Sequence, residues 1–280
     1  MASAVVRNTA SARIATGSHG PGPSTVIAGT SGSCPSVPAT VTLDTPPPDR
    51  ETPARPVDDR DAAMRRAIAR AMSRSKREIP HYYLGNTVDA EPMLTWLEQH
   101  NEQRTASERL LPAVVLLKAV ARAAVDFPEL NGTWEHDRFH PTDGVQLGVA
   151  VSRRGGGLIA PVIRDAQARS LPELMHTLQD LVTRTRRGGL RASELTGGSI
   201  TVSNLGDTGV ETVLAVIQPP QVALVGAGAI QQRPWAKDGQ VVLRRVLHLT
   251  LAADHRASDG HLGGRFLTAI AYHLRRPEQL

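Results

Sequence analysis

The chain has 280 residues, a formal net charge of +5 and a single cysteine, Cys34. This length suits one sizeable domain with appendages, and a lone cysteine excludes an internal disulfide and a cysteine-based metal cluster. Arginines spread along the chain supply nearly all the positive charge, and aromatic residues make up only 3% of the sequence. Both observations argue against a nucleic-acid-binding surface. No apolar run is long enough to cross a membrane.

Residues 1–60 are rich in Ala, Ser, Thr, Gly and Pro and carry almost no large apolar side chains. Such a segment buries too little surface to offset its ordering entropy, so it predicts a disordered tail or linker ahead of one catalytic domain at 61–280. Only Arg7 and Arg13 are basic in the first forty residues, which favours a cytoplasmic location over an organelle matrix. No lysine precedes Lys76.

The first predicted helix covers Arg65 to Arg77, because apolar residues recur there at helical spacing. Pro80 disfavours helix for Ile79 and so predicts a strand from Ile79 to Leu84. His81 at the start of this strand is interpreted as a packed histidine.

A second helix is predicted from Leu110 to Val125, with Thr105 and Glu108 as its capping box and Pro112 in its first turn. Two strands follow, at 145–151 and 158–163, joined by a glycine-rich basic tip.

Ser170 and Glu173 form another possible capping box, here for a helix that ends before Gly188 and covers one face of a sheet. The β-branched run after Gly198 then predicts a strand that ends at Ser203, where a hydroxyl can point into a site.

The most informative stretch is Asp254 to Gly260. It lies between an apolar strand pattern, Val241 to Ala253, and a helical pattern that continues towards the C-terminus. A histidine at such a junction, His255, can exchange a proton near neutral pH. Asp259, four residues later, can fix the local chain by pairing with a cation or a backbone N–H.

This stretch resembles the His-x-x-x-Asp-Gly motif of dihydrolipoamide acyltransferase catalytic domains, which recurs in chloramphenicol acetyltransferase. Four further motifs resemble the same family in the same order. They are a basic helix leading into Ile79-Pro80-His81-Tyr82, the Pro128-Glu129-Leu130-Asn131 turn, the Ser203-Asn204-Leu205-Gly206 turn and Pro219-Pro220-Gln221 before a strand. The resemblance runs from about Arg65 to the C-terminus.

The resemblance implies an α/β fold like that of chloramphenicol acetyltransferase, a two-layer sandwich of mixed β-sheet and helices. It also implies homotrimers, or higher assemblies of trimers, with active sites between subunits. By position in the motifs, His255 is the expected general base, Asp259 its conformational brace and Ser203 the donor to a tetrahedral oxyanion.

The implied reaction moves an acyl group between a lipoyl thioester and coenzyme A, without a metal. No lysine is present in the region where this family usually carries its lipoyl domains, so the lipoyl group is expected on another chain. The expected partners are that lipoyl-bearing chain and 2-oxoacid dehydrogenase components, and binding to nucleic acid or to a membrane is not expected. Asp207 stands where the family commonly has an apolar residue, which leaves the acyl group and its carrier open.

Two alternatives remain at this point. A stand-alone acyltransferase could use the same residues to acylate another small acceptor or carrier. A non-catalytic trimeric scaffold is the other alternative, and the presence of His255, Asp259 and Ser203 argues against it.

Overall fold

A mixed sheet of seven strands lies at the centre of the structure, a computed structural model that describes residues 59–153 and 157–280. The described residues all belong to one compact unit, Arg55–Leu280. The predicted tail at 1–60 lies outside them, apart from its last two residues. The strands are β1 (His81–Asp89), β2 (Gly132–Glu135), β3 (Arg138–Pro141), β4 (Leu147–Val149), β5 (Val151–Ser152), β6 (Leu158–Ile159), β7 (Val162–Ile163), β8 (Ile200–Asn204), β9 (Ala223–Ala227), β10 (Gln231–Lys237) and β11 (Gln240–Asp254).

The order of strands across the sheet is β1-β11-β9-β8-β4-β7, and β10 pairs with the first half of β11. Strand β8 runs parallel to both of its neighbours, whereas the other pairs are antiparallel. The β2–β3 and β5–β6 pairs form separate two-stranded sheets. The long strand β11 therefore joins the first strand of the domain to the parallel centre.

The helices are α1 (Asp59–Glu78), α2 (Glu91–Asn101), α3 (Pro112–Asp126), α4 (Leu171–Arg187) and α5 (Gly260–Leu274). Alternate residues of β11, Leu247, Leu249, Leu251 and Ala253, are buried in one core cluster with apolar side chains of α3, α4 and α5. Since strand side chains alternate between faces, this is the helix-covered face of the sheet. The predicted two-layer sandwich of mixed sheet and helices is confirmed.

The segment between β8 and β9 crosses the opposite face of the sheet. Thr250 of β11 points to that face and its hydroxyl donates to the carbonyl of Val213. Ile217 of the same segment is fully buried, and its carbonyl accepts from the Ser75 hydroxyl of α1 at 2.6 Å. These two bonds fix the segment between the sheet and α1.

One predicted capping box is correct and the other is wrong. At α4, Ser170 accepts from the Glu173 N–H, and the Glu173 carboxylate accepts from the Ser170 N–H at 2.8 Å. Thr105 and Glu108 also bond to each other, but α3 begins only at Pro112 and its N-cap, Leu111, has no side-chain cap. The pair stabilises a turn in the connection instead.

Within residues 59–153 and 157–280, the helices are all too short or too polar to cross a membrane.

Candidate active site

His255 is the first residue after β11, as predicted. Its backbone N–H donates to the carbonyl of Pro80 at 3.0 Å, which ties it to the start of β1. Its side chain is exposed, and among the described residues nothing hydrogen-bonds to the imidazole. Both ring nitrogens are therefore available to a substrate.

The loop after His255 is held by an ion pair between the buried Asp254 and the exposed Arg256, which sequence reasoning missed. The fully buried carboxylate of Asp254 accepts from the Arg256 guanidinium at 2.7 to 3.1 Å and from the Arg256 N–H at 2.9 Å. The guanidinium also lies over the ring of Trp134, 4.7 Å from its centroid. A buried carboxylate needs a cationic partner. An aspartate at the end of an apolar strand, with an arginine two residues later, was therefore the sequence pattern that could have predicted this ion pair.

Asp259 caps helix α5. Its carboxylate accepts from the backbone N–H of Leu262 at 2.8 Å, and Asp259 itself is extended, with φ −128° and ψ 175°. Of the two partners that the sequence allowed, the structure shows the backbone N–H. The cap fixes where α5 begins and therefore how long the loop after His255 is.

Replacing Asp259 with alanine should lower the free energy of unfolding by about 1 kcal/mol, because the helix loses its side-chain cap. Asp259→Asn should keep most of the stability, since the amide oxygen can accept the same bond. Urea unfolding of the three proteins measures both effects. An asparagine variant as unstable as the alanine variant would show that the stabilising contact is not the cap.

His81 is a packed histidine whose two ring nitrogens are both engaged. Nδ1 donates to the carbonyl of Ile79 at 2.9 Å, and Nε2 accepts from the N–H of Ile217 at 3.1 Å. Burial is the main cause that lowers the pKa of His81, and the charge of Lys76 lowers it further. The hydrogen bond to the carbonyl of Ile79 and the charge of Asp254 act in the opposite direction. The neutral ring thus holds the segment between β8 and β9 next to β1.

This lowered pKa predicts acid sensitivity. Below pH of about 6.5 the unfolded chain takes up a proton at His81 that the folded chain resists, so stability should fall as the pH drops from that value. His81→Gln should be less stable than wild type at pH 7.5 but lose less stability between pH 7.5 and 5.5. Burial also lowers the pKa values of His100 and His273, so both contribute to the pH dependence that remains in His81→Gln. An unchanged pH dependence in urea unfolding would contradict this role.

Ser203 lies on β8, where its neighbours Ile200 and Val202 belong to the helix-covered core. By alternation, Ser203 points to the opposite face. The residue is 7% exposed, and among the described residues its hydroxyl has no hydrogen-bond partner. It can therefore donate to a group brought from outside this chain.

The sheet keeps Ser203 and His255 apart. Ser203 pairs with Gly226 on β9, Gly226 pairs with Thr250 on β11, and His255 is five residues further along. Two strand spacings of about 4.8 Å and five residues of about 3.4 Å put them roughly 20 Å apart. One chain does not bring the two predicted residues together, whereas Asp259 lies in the same loop as His255.

Comparison with known proteins gives a match to the family of 2-oxoacid dehydrogenases acyltransferase (catalytic domain) over residues 58–280. The chain is 32% identical over 216 residues to the dihydrolipoyllysine-residue acetyltransferase component of the pyruvate dehydrogenase complex of Rickettsia felis, a match that covers 76% of this chain and 52% of that protein. The chain thus spans about half the length of the curated relatives it matches.

Two solved structures have the same fold at 25% identity. One is the dihydrolipoamide acetyltransferase of Azotobacter vinelandii, studied for the role of a serine, a histidine and an asparagine in its mechanism, with a TM-score of 0.72 over 81% of this chain and 98% of that one. The other is the cubic core of the pyruvate dehydrogenase multienzyme complex, with a TM-score of 0.73 over the same shares.

Proposed function

This chain belongs to the family of 2-oxoacid dehydrogenase acyltransferase catalytic domains, and we propose that it moves an acyl group between a lipoyl thioester and coenzyme A. The names of its relatives support an acetyl group and the pyruvate dehydrogenase reaction. Coenzyme A and the acylated lipoyl group are both substrates here.

His255 is the general base of this proposal. A thiol with a pKa of roughly 8.5 is mostly protonated at neutral pH, so a neutral imidazole at the sulfur greatly raises its nucleophilicity during attack. His255 takes the thiol proton of coenzyme A while the sulfur bonds to the acyl carbonyl carbon. The tetrahedral intermediate then collapses, the carbon–sulfur bond to the lipoyl group breaks, and the imidazolium returns the proton to the departing dihydrolipoyl sulfur.

Ser203 is the donor to the oxyanion of that intermediate. One well-placed donor in such a position contributes on the order of 3 kcal/mol to the transition state. A hydroxyl that has no hydrogen-bond partner among the described residues suits this task, because it has no bond there to break before it donates.

The observation that carries the proposal is a repeated spacing. In the Azotobacter vinelandii enzyme the histidine studied for catalysis follows the serine by 52 residues, and the asparagine follows the histidine by four. Ser203, His255 and Asp259 have the same two separations. The single change is an aspartate in place of the asparagine, and both side chains can cap a helix.

The separation of Ser203 and His255 supports an active site shared between subunits. A cubic core, as in one of the similar structures, has threefold axes through its corners, and a homotrimer placed there could set His255 of one chain opposite Ser203 of the next. We propose such trimers, a lipoyl-bearing protein and the other 2-oxoacid dehydrogenase components as partners, and a cytoplasmic location.

The direct test supplies the purified protein with acetyl-coenzyme A and dihydrolipoamide and measures thioester exchange in both directions. Succinyl- and isobutyryl-coenzyme A, tested alongside, identify the preferred acyl group. Transfer to dihydrolipoamide supports the proposal. Transfer only to an alcohol or amine acceptor would favour a stand-alone acyltransferase instead, and no transfer at all would favour a scaffold.

A further inference from the structure

We infer that Tyr82 is a positioning residue that holds the imidazole of His255 in the orientation needed for proton transfer. The inference rests on the proposed function, and it deepens it by naming a residue outside the loop of His255. Tyr82 is the second residue of β1 and lies opposite Ala253 of β11, two residues before His255.

The first support is a ring contact. The rings of Tyr82 and His255 meet edge to face, with centroids 5.1 Å apart and an interplanar angle of 63°, an arrangement that aromatic pairs favour. Among the described residues, this is the one ring contact that His255 makes. Because the exposed imidazole also has no hydrogen bond within the described part of the chain, the Tyr82 ring is the contact from this chain that can restrict its rotamers.

The second support is that Tyr82 is itself fixed from two sides. Its hydroxyl is 2.9 Å from the hydroxyl of Ser258, in the loop that follows His255. A Cβ at Gly263 would lie only 2.7 Å from the Tyr82 hydroxyl oxygen, so helix α5 leaves room for the ring by having no side chain there. Burial raises the pKa of the Tyr82 hydroxyl, and the hydrogen bond to Ser258 opposes this shift, so the hydroxyl stays protonated at neutral pH.

Tyr83, the next residue, has a different environment. Its ring stacks on His81 at 5.8 Å, its hydroxyl accepts from Lys76 at 2.5 Å, and it is 37% exposed. The two tyrosines point to opposite faces of the same strand, so Tyr83 provides a matched control for loss of an aromatic ring from β1.

The test compares Tyr82→Leu, Tyr82→Phe and Tyr83→Leu in the 280-residue chain. A misplaced base loses rate, so Tyr82→Leu should lower the kcat of acetyl exchange roughly 10-fold or more while KM for coenzyme A changes less than about 2-fold. Tyr82→Phe keeps the ring and should retain at least about half of kcat, and Tyr83→Leu should behave like wild type. A phenylalanine variant as slow as the leucine variant would overturn the ring as the positioning element.

A second measurement does not depend on activity. A crystal structure of Tyr82→Leu should show the His255 imidazole in several rotamers. A crystal structure of Tyr83→Leu should show it in its single wild-type position. A single unchanged rotamer in Tyr82→Leu would overturn the inference even if the protein is an acyltransferase. An inactive wild-type protein with the expected rotamers would overturn the proposed function alone. If Tyr82→Leu does not fold, Tyr82→Met supplies the same comparison.

Discussion

Replacing His255 with alanine should lower the rate of acetyl transfer between coenzyme A and dihydrolipoamide by 10²- to 10⁴-fold, the usual contribution of a general base. The fold should survive the change. The side chain is exposed, so its removal opens no core cavity, and the bond from the His255 N–H to Pro80 belongs to the backbone.

The measurement is steady-state kinetics together with thermal unfolding and the mass of the assembly. His261→Ala serves as a control, because His261 is an exposed histidine six residues away at the start of α5. A His255→Ala protein with more than about a tenth of wild-type activity would exclude His255 as the base. A lowered melting temperature would point to a structural contribution instead.

The elements that the sequence predicted well are those whose signals are local. An apolar run and a helical stripe identify β11 and α5, and they place His255 at the junction between them. The capping box of α4 is equally local, since Ser170 and Glu173 satisfy each other's backbone N–H groups. The family and the fold class, predicted from short motifs in order, are confirmed.

Other features depend on context that a short motif does not contain. The Thr105 and Glu108 pair forms, but the chain after it is not helical until Pro112, so it caps a turn rather than α3. Helix α2 was not predicted because its sequence has a weak apolar stripe and Pro92 near its start; only Met93 and Leu97 are buried.

The resemblance implied a site between subunits, but the distance between its residues within one chain could not be predicted. Each of Ser203 and His255 could be placed at the end of a strand. The order of the strands places β9 between the strand of Ser203 and the strand that ends before His255. That order comes from long-range pairing between β8, β9 and β11. The contribution of Tyr82 depends likewise on the pairing of β1 with β11, across 171 residues from Tyr82 to Ala253.

The second large effect concerns the shared site. Ser203→Ala alone should lower kcat by roughly 10²-fold, because the oxyanion loses a donor. When Ser203→Ala and His255→Ala chains are co-expressed in equal amounts, some interfaces should join an intact His255 to an intact Ser203. With random mixing in a closed ring, each of the two chains is of the required kind half the time, so roughly one quarter of the sites, and of wild-type activity, should return.

A second mixture makes the test sharper. In an equal mixture of wild-type chains and the Ser203→Ala, His255→Ala double variant, roughly one quarter of all sites should be active if each site needs one residue from each of two chains. About half of all sites should be active if both residues come from one chain. Two affinity tags, one on each kind of chain, establish that mixed assemblies form. Mixed assemblies with no recovery in the first experiment and half activity in the second would contradict the shared site. Because Ser203 and His255 lie roughly 20 Å apart within one chain, we expect one quarter of wild-type activity in both mixtures.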